Sequence, residues 1–369
     1  MIVHFSPPEL YPPLQNFLKV LSNEIGEKGK IYLFTTNTTI RSLSQFKMLS
    51  SNTKIIRLGV SGTNIPRFRR YANFIWHYLG VLFYLVKLRP GKILYYETLS
   101  AFAPVVYKLA FNRKTALYIH YHEYTSPQEY REGPPLQRFF HSLEKKIYTK
   151  TSWLSHTNTF RLDLFKQDIA PIKATGLAVF PNYPPASWLV SPGAAIGTPV
   201  KVVYAGSLDT KNMFSREFAN WVISHNGKIK WDIYCYNFSK EAYDYFSQLN
   251  SPFISLNAGI DYEKLPRLLR QYDIGVILYK GHIKNHVYNT PNKLFEYLVS
   301  GLDVWYPEEM IGCYEYDSTE YRPKVIRLNF QKLKSYTLEQ LTGPATGIRK
   351  QLNFTVEESS KPLVNNLLN

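Results

Sequence analysis

The 369-residue chain has little cysteine, little acid and no long apolar run. Its two cysteines, Cys235 and Cys313, exclude a disulfide framework, and no pair has zinc-ribbon spacing. Such sparse thiols fit a reducing compartment. The longest apolar stretch, residues 74–86, is interrupted by His77 and falls short of the roughly 18–20 residues a membrane-spanning helix needs. The first residues, Met1-Ile2-Val3-His4-Phe5-Ser6-Pro7-Pro8, offer neither a basic nor a long apolar region, so no signal peptide is expected. No Asp-x-Asp pair occurs. Acidic residues number 28 against 44 Lys and Arg, for a formal charge of +16.

What is present is ordinary for a globular chain, with 45% hydrophobic and 20% charged residues, which excludes wholesale disorder. At about 100–200 residues per domain, the length suggests two domains. The charge is uneven. Residues 1–199 carry 24 Lys/Arg and 10 Asp/Glu, a balance of +14, whereas residues 200–369 carry 20 and 18, a balance of +2. An anionic partner should therefore meet the first half. Nucleic acid is not the expected partner. There is no helix-turn-helix, zinc finger or Gly-flanked aromatic RNA motif, and the aromatics sit in apolar core patterns.

Short apolar runs alternate with helical periodicities. Strands are expected at 2–5, 31–34, 54–58, 93–96, 115–120, 152–155 and 178–180. Helices are expected at 14–25, 72–88, 101–111 and 135–150. Pro181-Asn182-Tyr183-Pro184-Pro185, Ser191-Pro192-Gly193 and Gly197-Thr198-Pro199 form a Pro/Gly-rich connection. The alternation then restarts, with strands at 200–204, 231–236, 253–256 and 274–278 and helices at 214–224, 241–249, 262–270 and 292–300. Strands alternating with helices argue for βαβ units and a parallel sheet. The expected fold class is α/β, with two Rossmann-like domains whose parallel sheets face each other across a cleft, where ligands of such sheets bind. The expected domains are residues 1–185, a linker at 186–199, a second domain at 200–345, and a C-terminal segment at 346–369 that packs back on the first.

The richest motif is Thr290-Pro291-Asn292-Lys293-Leu294-Phe295-Glu296-Tyr297-Leu298-Val299-Ser300-Gly301. Pro291 opens the periodic run and Gly301 closes it. A helix N-terminus offers free backbone N–H groups and partial positive charge to a phosphate, and Lys293 adds a cation in the first turn. Glu296, one turn on, suits ribose hydroxyls. The same residues also suit an amphipathic helix with Leu294, Tyr297 and Leu298 in the core and two solvated charges. Two further clusters stand out. In His120-Tyr121-His122-Glu123, His120 and His122 share a strand face, which suits a metal pair, a cleft-facing group or buried structural histidines. His282 and His286 have helical zinc spacing but lie in a Gly- and Lys-rich loop. Arg67-Phe68-Arg69-Arg70 precedes an aromatic helix. That combination suits an anionic membrane surface or a core helix with a solvated basic start.

The motif at 291–304 resembles the donor-site helix of GT-B glycosyltransferases, family 4 in particular. Tyr272–Tyr279 is similar to that family's strand before the donor loop. Val179-Phe180-Pro181-Asn182-Tyr183-Pro184-Pro185 is similar to its segment before the interdomain linker, Val203–Leu208 to its first C-domain strand and glycine turn, and Tyr121-His122-Glu123 to the pair ending an N-domain strand. The resemblance spans residues 2–340 and implies a GT-B fold. It also implies a retaining, metal-independent transferase moving a sugar from a nucleotide-diphosphate donor to a glycan or lipid-diphosphate-linked acceptor in cell-surface polysaccharide biosynthesis, with no cofactor. By resemblance, the catalytic group comprises His122, Lys293 and Glu296. The donor is held by Gly206, Ser207, Lys211, Tyr288, Thr290, Pro291, Asn292, Lys293 and Glu296, and the acceptor side by His120, His122 and Glu123. Glu296 matches the second Glu of the family's E-x7-E pattern, but Tyr288 stands where the first is usual. The expected location is the cytoplasm, peripheral on the inner face of the cell membrane. A nucleotide-sugar epimerase of the same fold and a non-catalytic binder are the alternatives.

Overall fold

The computed structural model describes residues 1–40, 43–48, 50–62, 65–169, 176–191, 196–348 and 352–369. Pro192 and Gly193 of the expected connection lie outside them. The chain divides into two compact units, Met1–Asn182 with Val356–Asn369, and Tyr183–Thr355.

The first unit holds seven parallel strands: β1 (Ile2–His4), β2 (Ile31–Thr38), β3 (Thr53–Ser61), β4 (Lys92–Tyr96), β5 (Ala116–Tyr121), β6 (Trp153–His156) and β7 (Leu177–Val179). Their order is β3-β2-β1-β4-β5-β6-β7, so the direction of winding reverses between β1 and β4. Both faces are covered by helices: α1 (Pro12–Ile25), α2 (Arg67–Leu88), α3 (Phe102–Val106), α4 (Pro127–Glu132), α5 (Pro135–Glu144) and α6 (Thr159–Asp168). Covered on both sides, the strands read as near-continuous apolar runs such as Ile93–Tyr96, which is wholly buried.

The second unit repeats this plan without a sequence repeat to announce it. Its strands are β8 (Val200–Ala205), β9 (Ile229–Cys235), β10 (Ile254–Ala258), β11 (Ile274–Val276), β12 (Asp303–Pro307), a short β13 (Tyr321–Arg322), β14 (Val325–Leu328) and a short β15 (Gly347–Ile348). The main sheet runs β10-β9-β8-β11-β12-β14, and β13 pairs separately with β15. Reversal falls between β8 and β11. The helices are α7 (Ser215–Ser224), α8 (Lys240–Gln248), α9 (Leu265–Leu269), α10 (Lys284–Val287), α11 (Asn292–Val299) and α12 (Leu338–Thr342). The last two helices, α13 (Val356–Ser359) and α14 (Lys361–Leu368), belong to the first unit. There the Tyr118 hydroxyl donates to the Asn366 carbonyl at 2.8 Å.

Four helices depart from their periodicity. The one expected at 262–270 opens with a 3₁₀ turn over Tyr262–Lys264 ahead of α9. The one expected at 101–111 widens into a π-turn over Tyr107–Phe111. The one expected at 72–88 starts earlier, at Arg67. The one expected at 135–150 ends at Glu144, whose carboxylate turns into the core. It accepts the hydroxyls of Tyr95 at 3.0 Å, Tyr121 at 2.7 Å and Thr98 at 2.9 Å and is fully buried. Each buried donor left without a partner costs about 1–3 kcal/mol. Glu144→Leu is therefore expected to lower unfolding stability by at least about 3 kcal/mol in urea titration, and Glu144→Gln by less.

Candidate functional site

In the second unit the candidate residues gather at the carboxyl ends of β8 and β11, where the winding reverses and where open α/β sheets bind ligands. Strand β8 ends at Gly206, whose φ of +144° disfavours any residue with a Cβ. A Cβ there would lie 2.7 Å from the Lys293 Nζ, so the glycine leaves the space the lysine occupies. Lys293 Nζ also lies 5.4 Å from the Tyr204 ring centroid, a cation–π distance. The Tyr204 hydroxyl donates to the Ser207 carbonyl at 2.7 Å, shaping the turn.

Helix α11 is positioned from beneath. The Tyr297 ring fills the space over Gly275, where a Cβ would come within 2.1 Å of it, and the Tyr297 hydroxyl accepts the Ala205 N–H at 3.3 Å. Pro291 stands as N-cap in extended conformation with no side-chain cap; the Leu294 N–H donates to the Pro291 carbonyl at 3.0 Å, and an N-terminus without a side-chain cap suits an anion at its first turn. Thr290 is buried, its hydroxyl donating to the Gly312 carbonyl at 2.6 Å. Gly312 lets the backbone of Tyr288 and Asn289 pack close, since a Cβ there would fall 2.5 Å from the Asn289 carbonyl oxygen. Asn292 lies in the first turn of α11 beside Glu296, to which its side chain hydrogen-bonds.

Glu296 is 5% exposed. Burial pushes its carboxyl up to about 7, against the opposing pull of Lys293 and of hydrogen bonds from Asn292 and Tyr262. A carboxyl held in that state, with a cation one turn away, suits a ligand that brings both hydroxyl donors and negative charge. Lys211 is exposed on the bend that follows, a loop tied by Asp209, which accepts the Asn212 N–H at 2.6 Å. Tyr288 is half-buried at the end of α10. Gly206→Ala is expected to push Lys293 aside. It should lower stability by about 1 kcal/mol or more, read by thermal melting.

The first unit gathers a separate group at the carboxyl ends of β1, β4 and β5. The loop after β1 is pinned: Ser100 Oγ accepts the Phe5 N–H at 2.8 Å, while the Thr36 and Thr35 hydroxyls donate to the Phe5 and Ser6 carbonyls at 2.7 and 2.9 Å. His122 is nearly buried, with Nδ1 3.0 Å from Asn182 Oδ1. Burial pushes its pKa down to about 4, so the ring is neutral at pH 7. With Nδ1–H donating to Asn182, Nε2 is left as an acceptor. His120 lies underneath, wholly enclosed, with Nδ1 2.8 Å from Ser155 Oγ. It offers no atom to a ligand and supports the His122 ring, 4.7 Å away. Glu123 is exposed at the strand end.

Sequence reasoning passed over Glu97, which follows β4. Its backbone takes φ +63° and ψ 153°, a region occupied almost only by glycine and costing about 1–3 kcal/mol for other residues. Its Oε1 accepts the N–H groups of His122 at 2.6 Å and Glu123 at 3.2 Å. Burial and the neighbouring Glu123 push its carboxyl up to about 8, against the pull of the two amides and Arg161. No sequence pattern signals a backbone angle, so nothing in the composition of this segment marked it.

Among the described residues no group of three or more His, Cys, Asp or Glu side chains is placed to hold a metal ion. His282 and His286 stand with ring centroids 5.7 Å apart. Among the described residues no helix is long and apolar enough to cross a membrane.

No family model matches the chain, and no curated protein matches it either. Solved structures do. Anabaena HepE, in complex with UDP and glucose, superposes with a TM-score of 0.66 at 11% identity, over 100% of this chain and 99% of that one. Sucrose-phosphate synthase from Thermosynechococcus elongatus gives 0.64 at 14% identity, over 100% and 94%. WaaG, a glycosyltransferase involved in lipopolysaccharide biosynthesis, gives 0.58 at 9% identity, over 99% and 95%. The chain thus has the GT-B fold. Identities this low establish the fold alone.

Proposed function

We propose that the protein is a glycosyltransferase that moves a sugar from a nucleotide-diphosphate donor to a glycan or lipid-linked acceptor in cell-surface polysaccharide biosynthesis. The observation that carries this reading is the second unit's grouping of Gly206, Lys293, Glu296 and the N-terminus of α11, which has no side-chain cap, at one strand-order reversal. The similarity to HepE, solved with UDP and glucose, and to WaaG, involved in lipopolysaccharide biosynthesis, favours the same class.

In this reading the first-turn amides and Lys293 face the donor diphosphate, and Glu296 takes the ribose hydroxyls. A nucleoside diphosphate leaves with its charge concentrated on phosphate oxygens. Each well-aimed donor that meets this charge lowers the barrier by about 3–4 kcal/mol, on the scale of oxyanion-hole deletions. Lys211 is a second cation for the same diphosphate. Tyr288, in place of a carboxylate, leaves the transferred sugar to be held by the backbone of residues 288–291. Retention of configuration and independence from metal belong to this proposal. So does peripheral attachment to the inner face of the cell membrane through α2.

Thermal-shift titration with UDP, GDP and dTDP, followed by transfer assays with the sugars of the nucleotide that binds, tests the reading. Binding of one nucleotide, and sugar transfer only when an acceptor is added, is the expected result. Epimerised donor formed without acceptor would point to the epimerase, and no nucleotide binding would remove the donor site.

A further inference from the structure

Six of the nine histidines are buried in the first unit. One of them, His141, has a carboxylate partner, Glu144, at 3.7 Å. The other five, His4, His77, His120, His122 and His156, stand in no such pair among the described residues. They lie on or beside β1, α2, β5 and β6 and are at most 6% exposed. The His120 and His122 ring centroids are 4.7 Å apart and those of His4 and His122 6.5 Å. Tyr11 and Tyr96 enclose His4 and His122 at 4.3–5.7 Å. His156 stacks on Tyr121 at 5.1 Å, and His77 meets Phe5 at 5.0 Å.

This packing has no room for a proton. An imidazolium donates from both ring nitrogens. The Nδ1 atoms of His77, His120 and His122 meet Leu58, Ser155 and Asn182 at 3.2, 2.8 and 3.0 Å. The Nε2 atoms of these three rings, and both nitrogens of His156, are buried without a partner. The neighbouring charges do not help. Arg161 faces His122 and His156, while His122 faces both His4 and His120, His77 faces His4, and His156 faces His120. Glu97, beside His122, holds its own proton at pH 7, because burial and Glu123 push it up to about 8. Glu144 is occupied by the hydroxyls of Tyr95, Tyr121 and Thr98. Glu123 and Asp168 lie across a small cavity from His156, and Asp168 is held by the Tyr124 hydroxyl. Burial keeps the phenols of Tyr11, Tyr96 and Tyr121 neutral.

Burial first, and then these neighbours, push His4 and His156 down to about 3, His77 and His122 to about 4, and His120 well below the ordinary 6.5. The unfolded chain therefore takes up protons from about pH 6.5, and the folded unit only near pH 4 and below. Folding is favoured while the rings are neutral, and that contribution is lost as pH falls below 6.5. Glu97 pulls the other way, since the folded unit keeps its proton up to about pH 8. Five histidines less one glutamate leave a net uptake of at least about three protons on unfolding near pH 5.5. In the second unit Glu296 is pushed up to about 7, so acid favours its folded state.

We propose that the histidine cluster is an acid-release device: below about pH 6 the first unit opens reversibly while the second stays folded, so any activity that needs both is switched off in acid and restored at neutral pH. The proposal stands apart from the transferase reading.

Hydrogen exchange of the full chain tests it, in a fixed sub-denaturing urea concentration from pH 8 to 4.5, corrected for the intrinsic rate at each pH and read by mass spectrometry. In peptides from residues 1–169 the opening constant should rise at least about 10³-fold per pH unit near pH 5.5 and fall back on return to pH 7.5. Peptides from residues 200–348 should stay protected. His156→Phe replaces a ring without hydrogen bonds, and should make the rise about tenfold shallower per pH unit. His77→Gln, which keeps a donor for the Leu58 carbonyl, should do the same from α2 and decides the matter if the phenylalanine disturbs packing. Glu97→Gln should make the rise about tenfold steeper. A rise below tenfold per pH unit, loss of protection in both units together, no recovery at pH 7.5, or wild-type steepness in both histidine variants would each overturn the proposal.

Discussion

Glu296→Gln is expected to weaken nucleotide binding about 10- to 100-fold while making the folded protein more stable at alkaline pH. In the proposed reading the first effect follows from removing a carboxylate aimed at ribose hydroxyls; hydrogen bonds to charged groups contribute about 1.5–3 kcal/mol. The second follows from the raised carboxyl. Glu296 titrates near 7 in the folded protein against an ordinary 4.5. A folded-state pKa above the unfolded value means the protonated form is favoured by folding. Its contribution is fully present below about pH 4.5 and is lost as pH rises through 7. At one pKa unit per 1.36 kcal/mol, the ionised carboxylate costs about 3 kcal/mol above pH 7. Glutamine removes this cost. Melting curves of wild type and variant should converge at pH 4.5 and separate at pH 8, with the variant higher. A variant that melts lower at pH 8, or binds nucleotide as wild type does, would show that Glu296 is an ordinary helix carboxylate. Lys293→Ala should act oppositely on stability. Losing the cation that favours ionised Glu296 raises that carboxyl further, so the alkaline cost grows while nucleotide affinity falls.

These paired signs show why the second unit's site could be read from residue order. Gly206, Pro291 and Gly301 are constraints of backbone geometry written as residue types, and the structure gives Gly206 and Gly301 positive φ values. The apolar positions of α11 could be read as a core face because Leu294, Tyr297 and Leu298 are all fully buried. The first unit was less legible because its groups meet through long-range contacts. His4, Tyr11, Tyr96, Glu97 and His122 come from four separate stretches of chain, and the Glu97 angle has no residue-type marker. The burial of Glu144 is illegible for a similar reason. Glu144 resembles a surface charge at helical spacing, but its three hydroxyl donors lie at 95, 98 and 121. The motif of α2 allows two readings because the helix packs on one side and is bare on the other.

The bare side of α2 carries the last prediction. Val81, Leu85 and His77 are buried against the sheet, whereas Phe68, Tyr71, Ile75, Trp76, Leu79 and Phe83 are each about 60–70% exposed. Single exposed apolar residues need no explanation, but six along one helix do. Arg69 lies 5.8 Å from the Phe68 ring and Lys87 5.9 Å from that of Phe83, so cations flank the row at both ends, within the half of the sequence that carries +14. An apolar row flanked by cations matches the acyl–headgroup boundary of an anionic leaflet. Trp76→Ser with Phe83→Ser is expected to reduce partitioning onto vesicles containing 30% phosphatidylglycerol about 30-fold, from about 2 kcal/mol of lost apolar burial. Arg69→Ser with Arg70→Ser should cost about 1 kcal/mol per cation at low salt and much less at 0.5 M, because exposed charges are screened. Neither pair should change the melting temperature, since these side chains pack against little. Equal sedimentation of wild type and the aromatic variant with vesicles, or a wild type that instead self-associates through this row and ignores vesicles, would assign α2 to a protein partner. The salt response separates the two contributions. The expected division is that the arginines set how often an encounter with the leaflet occurs and the aromatics how long the protein stays.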